Sequence, residues 1–529
     1  MKRHRGEQVA PPASGRPVTR RSLLKVAAAG AALGFATPLL WTRAGRSAGA
    51  RVMRLGYDQD IVKLDFGVSQ ATVDVFATAL IFGRLVNYDR GMQNPLADVA
   101  ESWTVAPDNV TYTFKIRRGV LFHSGRELTA DDVAYSFHRG AEIGPKGRFA
   151  GYMVSLESYK ATGPYEFQVK LKQPDASFFS NLAAPSVSIC DPKTVDQIET
   201  RPVGTGPYMF VEWVPGDHVT YRKFPKYWNQ ALLGKLPDEI VTTVIAEDLT
   251  RVANLKSGQI DVATSIPAQL RKDIQTTAGL HLLRQDFSPS YACIDFNLRR
   301  PPFDNVKLRQ ALAHAVNRAA INKNVFFGTG QPGCNLIPPG HWAYTDLGCP
   351  AFDLGAAKKL VDASGAALPV RAKARLFNKP DWAGKAFEII QHDWNALGVQ
   401  LDIETMDFGL YVQDVWVGKN ADLTVGSYTR EADPDGLFSS VLRKDQGNNF
   451  MGYYNPTVEA LFDKAKATRD RTARRTMYAQ LLHIAVDDDV PLIKMQSIEN
   501  AWAANDKVKD LTLLPNNTPA LYQPWAWAG

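Results

Sequence analysis

Residues 94–139 read NPLADVAESWTVAPDNVTYTFKIRRGVLFHSGRELTADDVAYSFHR, and two different periods follow one another inside this stretch. Val110, Tyr112, Phe114 and Ile116 alternate with Thr111, Thr113, Lys115 and Arg117. A period of two sends alternate side chains to opposite faces, so the spacing predicts a strand buried on one side. After a Phe-His-Ser-Gly turn, Thr129 stands where a helix N-cap belongs. Asp132, three residues on, can answer its backbone N–H and sit at the positive end of the helix. Val133 and Phe137, four apart, share one helical face.

The alternation continues along the chain. FDNVKLRQALAHAVNRAAI (303–321) sets Leu308, Ala311, Leu312, Ala315, Val316, Ala319 and Ala320 at helical spacing, with Asp304 or Asn305 as cap, which predicts a helix. NPTVEALFDKAKATRDRTARRTMYAQLLHIAVDDDVP (455–491) predicts two more amphipathic helices, the last stopped before Pro491. Short strands interleaved with helices make this an α/β protein. A chain of 529 residues is too long for one core and divides into subdomains.

The net charge of +7 is unevenly placed. Residues 1–50 hold nine Lys/Arg and one acid, Glu7; subtracting these from 61 and 54 leaves 52 Lys/Arg against 53 Asp/Glu, a net of −1 for residues 51–529. A nearly neutral body gives no electrostatic case for binding nucleic acid. The basic excess belongs to a leader. Arg20 and Arg21, followed by Ser22-Leu23-Leu24-Lys25, resemble the twin-arginine export motif. The apolar run Val26 to Leu40 falls short of the roughly 20 residues a membrane-spanning helix needs. It reads as the hydrophobic region of a signal peptide, with cleavage after Ala48-Gly49-Ala50. No cysteine precedes Cys190, so no lipid anchor is expected at that junction. Of the four cysteines, Cys334 and Cys349 bracket a Pro/Gly-rich loop. In an oxidising compartment they either bridge, which stabilises by about 3 kcal/mol for such a loop, or remain free thiols like Cys190 and Cys293.

Catalytic and cofactor signatures are absent. Gly328, Gly330 and Gly333 formally spell GxGxxG, but Pro332 and the following CNLIPPG prevent the helix whose N-terminus would meet a pyrophosphate. No P-loop, HExxH or CxxC occurs, and the GxSxG at residues 45–49 lies inside the leader. His123 reads as a hydrogen-bonded turn histidine, and Asp131-Asp132 and Asp487-Asp488-Asp489 as solvated positions near helix ends. No cofactor is expected, and an exported hydrolase or cofactor enzyme is the rival reading from another class.

Six segments in register resemble the dipeptide/oligopeptide-binding family of ABC-importer solute receptors (solute-binding family 5). They are residues 94–139, RPVGTGPY (201–208), LKSGQIDVA (255–263), FNLRRPPFDNVKLRQALAHAVNR (296–318), GTGQPGCNLIPPG (328–340) and NPTVEALFDKA (455–465). The resemblance implies a two-lobed periplasmic-binding-protein fold (type II, cluster C) with an extra subdomain and a ligand cleft between the lobes. Residues 51–90, 190–290 and 497–529 would form the core of lobe I, 91–189 its extra subdomain and 291–496 lobe II. The implied protein is a monomeric, extracytoplasmic (periplasmic) receptor that closes on a small peptide or peptide-like solute. It then hands that solute to an ABC permease and its ATPases.

In peptide-binding members an aspartate of a Trp-x-x-Asp-like stretch holds the ligand ammonium. Tyr428-Thr429-Arg430-Glu431 occupies that place, with Tyr for Trp and Glu for Asp, and Asp433, two residues on, is the alternative. Arg430 departs from the pattern and suits a ligand that also carries a carboxylate, such as an opine. Trp416 is expected as an aromatic wall, and Tyr57 and Asn378 as cleft contacts. Within the same fold a glycoside or metal chelate is the alternative cargo, and a chaperone or chemosensory role the alternative use.

Overall fold

The computed structural model describes residues 49–529 apart from 70–71, 145–148, 286, 379–381, 429–432, 445, 447–448, 516–525 and 529. The expected strand runs Thr111–Ile116 with Tyr112, Phe114 and Ile116 buried. It lies second in a four-stranded antiparallel sheet ordered Ala100–Val105, Thr111–Ile116, Glu166–Leu171, Leu156–Gly163. The helix Ala130–Ile143 packs on this sheet and starts at Thr129, whose N–H donates to Asp132 Oδ2 at 2.8 Å in a capping box. Arg126 straps the turn, donating to both Asp132 oxygens and, at 2.7 Å, to Asp191.

The same turn explains why two of the six segments occur together. His123 N donates to Gly204 O at 2.9 Å, Gly204 N donates to His123 Nδ1 at 3.4 Å, and His123 Nε2 lies 3.0 Å from Gly206 O. Burial pushes the imidazole down to about 4, so it is neutral at ordinary pH. Gly204 and Gly206 meet a second constraint. A Cβ at Gly204 would stand 2.1 Å from Ile81 O, and one at Gly206 2.4 Å from Leu80 O. Glycine is required here because another backbone passes against it.

Two larger sheets organise the rest. A seven-stranded sheet has the order Leu280–Arg284, Ala501–Asn505, Val262–Ala263, Val52–Tyr57, Glu239–Val244, His218–Lys223, Tyr208–Val214. A six-stranded sheet has the order Gln331–Pro332, Leu492–Ser497, Tyr291–Phe296, Leu423–Tyr428, Val370–Phe377, Val399–Met406. Each sheet has its own hydrophobic core, and the four-stranded sheet has a third. The architecture is two-lobed α/β.

Two expectations about the middle of the chain resolve locally. The 303–321 pattern is two helices, Val306–His314 and Arg318–Asn324, because Asn317 caps the second by accepting from Ala320 N. Cys334 and Cys349 are disulfide-bonded, while Cys190 and Cys293 are buried thiols. Among the glycines of the false dinucleotide motif, Gln331–Pro332 pairs as a short strand with Ser497 and Gln496, and no helix follows it. Among the described residues, no helix is long and apolar enough to cross a membrane.

Candidate functional site

Strand direction locates the site. In the seven-stranded sheet Val52–Tyr57 runs parallel to Glu239–Val244 and Val262–Ala263. Ala501–Asn505 is antiparallel to Val262–Ala263 and to Leu280–Arg284, so Arg284 and Ala501 both lie at the carboxyl edge of the parallel strands. In the six-stranded sheet Val370–Phe377 is parallel to Val399–Met406 and Leu423–Tyr428. Tyr291, the first residue of its strand, pairs with Tyr428 and with Ser497, the last residues of theirs. The segments 285–290 and 498–500 therefore connect one carboxyl edge to the other. They are tied to each other as they cross: Ile498 N donates to Ser290 O at 2.8 Å, and Ser288 Oγ to Ile498 O at 2.5 Å. In open α/β sheets, ligands bind outside the carboxyl ends of the strands. Here two such edges flank one hinge.

Tyr57, Asn378 and Tyr428 all stand at these edges. Tyr57 ends its strand half-buried against Phe76 and Trp502, with ring centroids 5.8 Å away in both cases. Asn378 is exposed and its N–H donates to Met406 O at 2.9 Å. Tyr428 is buried; its hydroxyl donates to Asp295 Oδ2 at 2.5 Å, and burial pushes that carboxyl up to about 6. Trp416 is partly buried edge-on to Tyr428, 6.2 Å between centroids, and Lys419 Nζ lies 5.9 Å from its ring. Trp416 and Tyr428 thus form one group, with Tyr57 on the opposite sheet. Arg430 and Glu431 lie outside the described residues.

Asp433 follows directly. It caps the helix Pro434–Leu442 by accepting from Asp435 N, and it takes a bidentate ion pair from Arg474: Nη1 to Oδ2 at 2.9 Å, Nη2 to Oδ1 at 2.7 Å. This pair opens onto a second feature, the seam between the six-stranded lobe and the four-stranded subdomain. Ala176 N donates to Lys466 O at 2.8 Å, Arg469 Nη1 to Asn109 Oδ1 at 2.8 Å, and Arg471 to Gln93 O. Lys466 Nζ lies 3.6 Å from Asp175 Oδ2 and 3.9 Å from Asp435 Oδ2. A cavity of about 110 Å³ sits on the seam. Tyr88, Tyr112, Asp175, Phe179 and Ser180 line it from one side, and Trp342, Asp433, Arg469, Arg471 and Arg474 from the other.

Sequence reasoning read 455–491 as amphipathic helices and missed this seam. The one available signal was the density of arginine in ATRDRTARR, four in nine residues at the start of a helix. The acids facing it come from elsewhere in the chain.

Burial pushes the Asp435 carboxyl up to about 6, with Lys466 opposing the shift. An unfolded aspartate titrates near about 3.9, so the folded state holds more protons between those values. Stability contributed by this group is present below the lower value and is lost as pH rises through about 6. Asp435→Asn is therefore expected to gain on the wild type in urea-unfolding free energy from pH 4 to pH 7. A difference between the two that does not change with pH contradicts this assignment.

The family model described as bacterial extracellular solute-binding proteins, family 5 Middle, matches residues 94–449. The chain is similar to the dipeptide-binding protein of Escherichia coli (strain K12), 29% identical over 469 residues, which cover 80% of this chain and 85% of that protein. Among solved structures it is similar to HbpA2 from Haemophilus parasuis, with a TM-score of 0.80 at 24% identity, covering 90% of this chain and 99% of the other. It is also similar to AgaA of A. tumefaciens R10 in complex with agropinic acid, with a TM-score of 0.74 at 26% identity, covering 88% of this chain and 96% of the other.

Proposed function

The chain belongs to the bacterial extracellular solute-binding proteins of family 5, and from that premise we propose that it captures a small peptide or peptide-like, amino-acid-derived solute between its lobes. The observation that carries this reading is the hinge: two crossing segments join the sheets at their carboxyl edges, where open α/β sheets hold ligands. Rotation about these segments opens and closes the gap. Closure removes water, so hydrogen bonds and charges on the solute act in a low dielectric and hold it without altering it. Members of this family are binding receptors rather than enzymes. The closed form is the one a two-subunit permease and its two ATPases receive, and the receptor works as a monomer.

The three separate hydrophobic cores support the division into lobe I (51–90, 190–290, 497–529), extra subdomain (91–189) and lobe II (291–496). The leader, with Arg20 and Arg21 and a cleavage point near Ala50, directs export by the twin-arginine route and leaves the receptor in the periplasm; it lies outside the described residues. Glu431 carries the contact to a solute ammonium, Trp416 supplies an aromatic wall, and Tyr57 and Asn378 line the opposing edges. The neighbouring Arg430 adds a grip for a carboxylate. A ligand bearing both charges, as an opine does, fits that pair, and the likeness to a receptor solved with agropinic acid supports it as the second reading.

Native mass spectrometry of the purified protein is expected to show a small molecule released on unfolding, whose mass identifies the solute class. Glu431→Ala should then weaken binding of that molecule by about tenfold or more in calorimetry, as loss of a charge-assisted bond implies, with unfolding unchanged. Unchanged affinity removes Glu431 from the site. Turnover of a peptide panel would replace the receptor with a hydrolase.

A further inference from the structure

The seam cavity holds more polar chemistry than the lobes themselves use. Among the described residues, two side-chain atoms in its wall, Ser180 Oγ and Arg474 Nε, are buried without a hydrogen bond, while Asp175 Oδ2 has the Lys466 ammonium at 3.6 Å. Each such atom costs about 1–3 kcal/mol if nothing answers it. An N–H donor and a hydroxyl left open around one cavity of about 110 Å³ mark a place that a hydrogen-bond acceptor fills. Charge decides the sign of that group. Within the wall, Arg469, Arg471 and Arg474 stand against Asp175 and Asp433. Arg474 already neutralises Asp433 through two bonds, and Lys466 stands 3.6 Å from Asp175. Among the described residues, no carboxylate pairs with Arg469 or Arg471. A guanidinium has five N–H donors in a planar fork, so one bond to Asn109 and one to Gln93 do not saturate them.

We propose that this cavity is a subsite for a small carboxylate, gripped by Arg469 and Arg471 from lobe II and by Ser180 from the subdomain of lobe I. Arg–carboxylate pairs are bidentate and charge-assisted, which suits two guanidiniums on one wall. The rings of Tyr112, Phe179 and Trp342 cover the carbon chain behind the carboxylate. A group held from both sides of the seam binds the closed arrangement better than the open one and so shifts the hinge toward closure. The carboxylate belongs either to a free small acid or to an acidic end of the transported solute; only in the second case does the inference rest on the receptor reading.

Calorimetry with the purified protein tests this using glutarate, and using Ala-Glu against Ala-Gln. Glutarate binding with the two peptides equal assigns the subsite to a free acid. A preference of about tenfold or more for Ala-Glu, without glutarate binding, assigns it to the solute. In either case Arg469→Gln/Arg471→Gln should abolish the effect while circular dichroism and the unfolding midpoint stay unchanged, since both side chains are exposed. The proposal is overturned if neither effect is found, or if either survives in the double variant. Failure of the receptor reading looks different: neither peptide binds and no solute co-purifies, whatever glutarate does.

Discussion

Lys466→Met is expected to weaken solute binding by about 10- to 100-fold at pH 8. Its ammonium lies between two carboxylates from different parts of the fold, Asp175 of the subdomain and Asp435 of lobe II. The Asp175 side chain is fully buried and that of Asp435 is 12% exposed. Removing one partner of a buried ion pair costs about 3–5 kcal/mol, because the remaining charge has neither water nor a counterion. The protein escapes that cost by parting the seam, where the carboxylates hydrate. The open state therefore gains at the expense of the closed state that holds the solute, and affinity falls by the shift in that equilibrium. The pH dependence has a definite sign. Asp435, already pushed up to about 6, takes a proton as pH falls toward 5, so the variant should recover affinity in acid. Calorimetry with the solute identified by mass spectrometry, together with the radius of gyration from X-ray scattering, checks both parts. A loss of equal size at pH 5 and pH 8, or no loss, contradicts the latch.

Arg474→Met should cost about 3–5 kcal/mol of unfolding free energy in urea. The Arg474 side chain is 4% exposed and that of Asp433 is 10% exposed. The variant loses both bonds to Asp433 and the bond to the Tyr478 hydroxyl at 3.1 Å. It leaves a carboxylate buried without its cation. Asp433→Asn keeps an oxygen to accept from Asp435 N but strands the buried Arg474 guanidinium, so it should destabilise as well. Arg474→Met/Asp433→Asn should recover part of the loss, because no uncompensated charge remains. A single variant within about 1 kcal/mol of the wild type would mean that the pair is hydrated and contributes little.

Asp433 shows how far the candidate site was legible. Its carboxylate was assigned from sequence as an alternative ligand contact, and the structure places it in a structural ion pair on the seam. Trp416 and Tyr428 stand together in one aromatic group, yet the Tyr428 hydroxyl is engaged by Asp295, a partner that lies 133 residues away in sequence. Gly204 and Gly206 fall in a segment the family resemblance picked out, but the closeness of Ile81 and Leu80 that requires glycine there is a property of the packed chain. Even the helix at 303–321 was right in its buried face only from Leu308 to Val316, since Ala319 is exposed, and wrong in its continuity, because a single side-chain oxygen at Asn317 restarts it.

What the sequence determined by itself is whatever depends on a few neighbouring residues. The alternating strand at 111–116, the capping box of Thr129 and Asp132, the prolines that forbid a dinucleotide loop, and the confinement of basic charge to the leader are all of this kind. What only the tertiary structure decided is which charges meet. Arg474 and Asp433 are 41 residues apart, and Lys466 reaches Asp175 on another sheet's subdomain. Coulombic and desolvation energies depend on distance and burial, and neither is a local property of the chain.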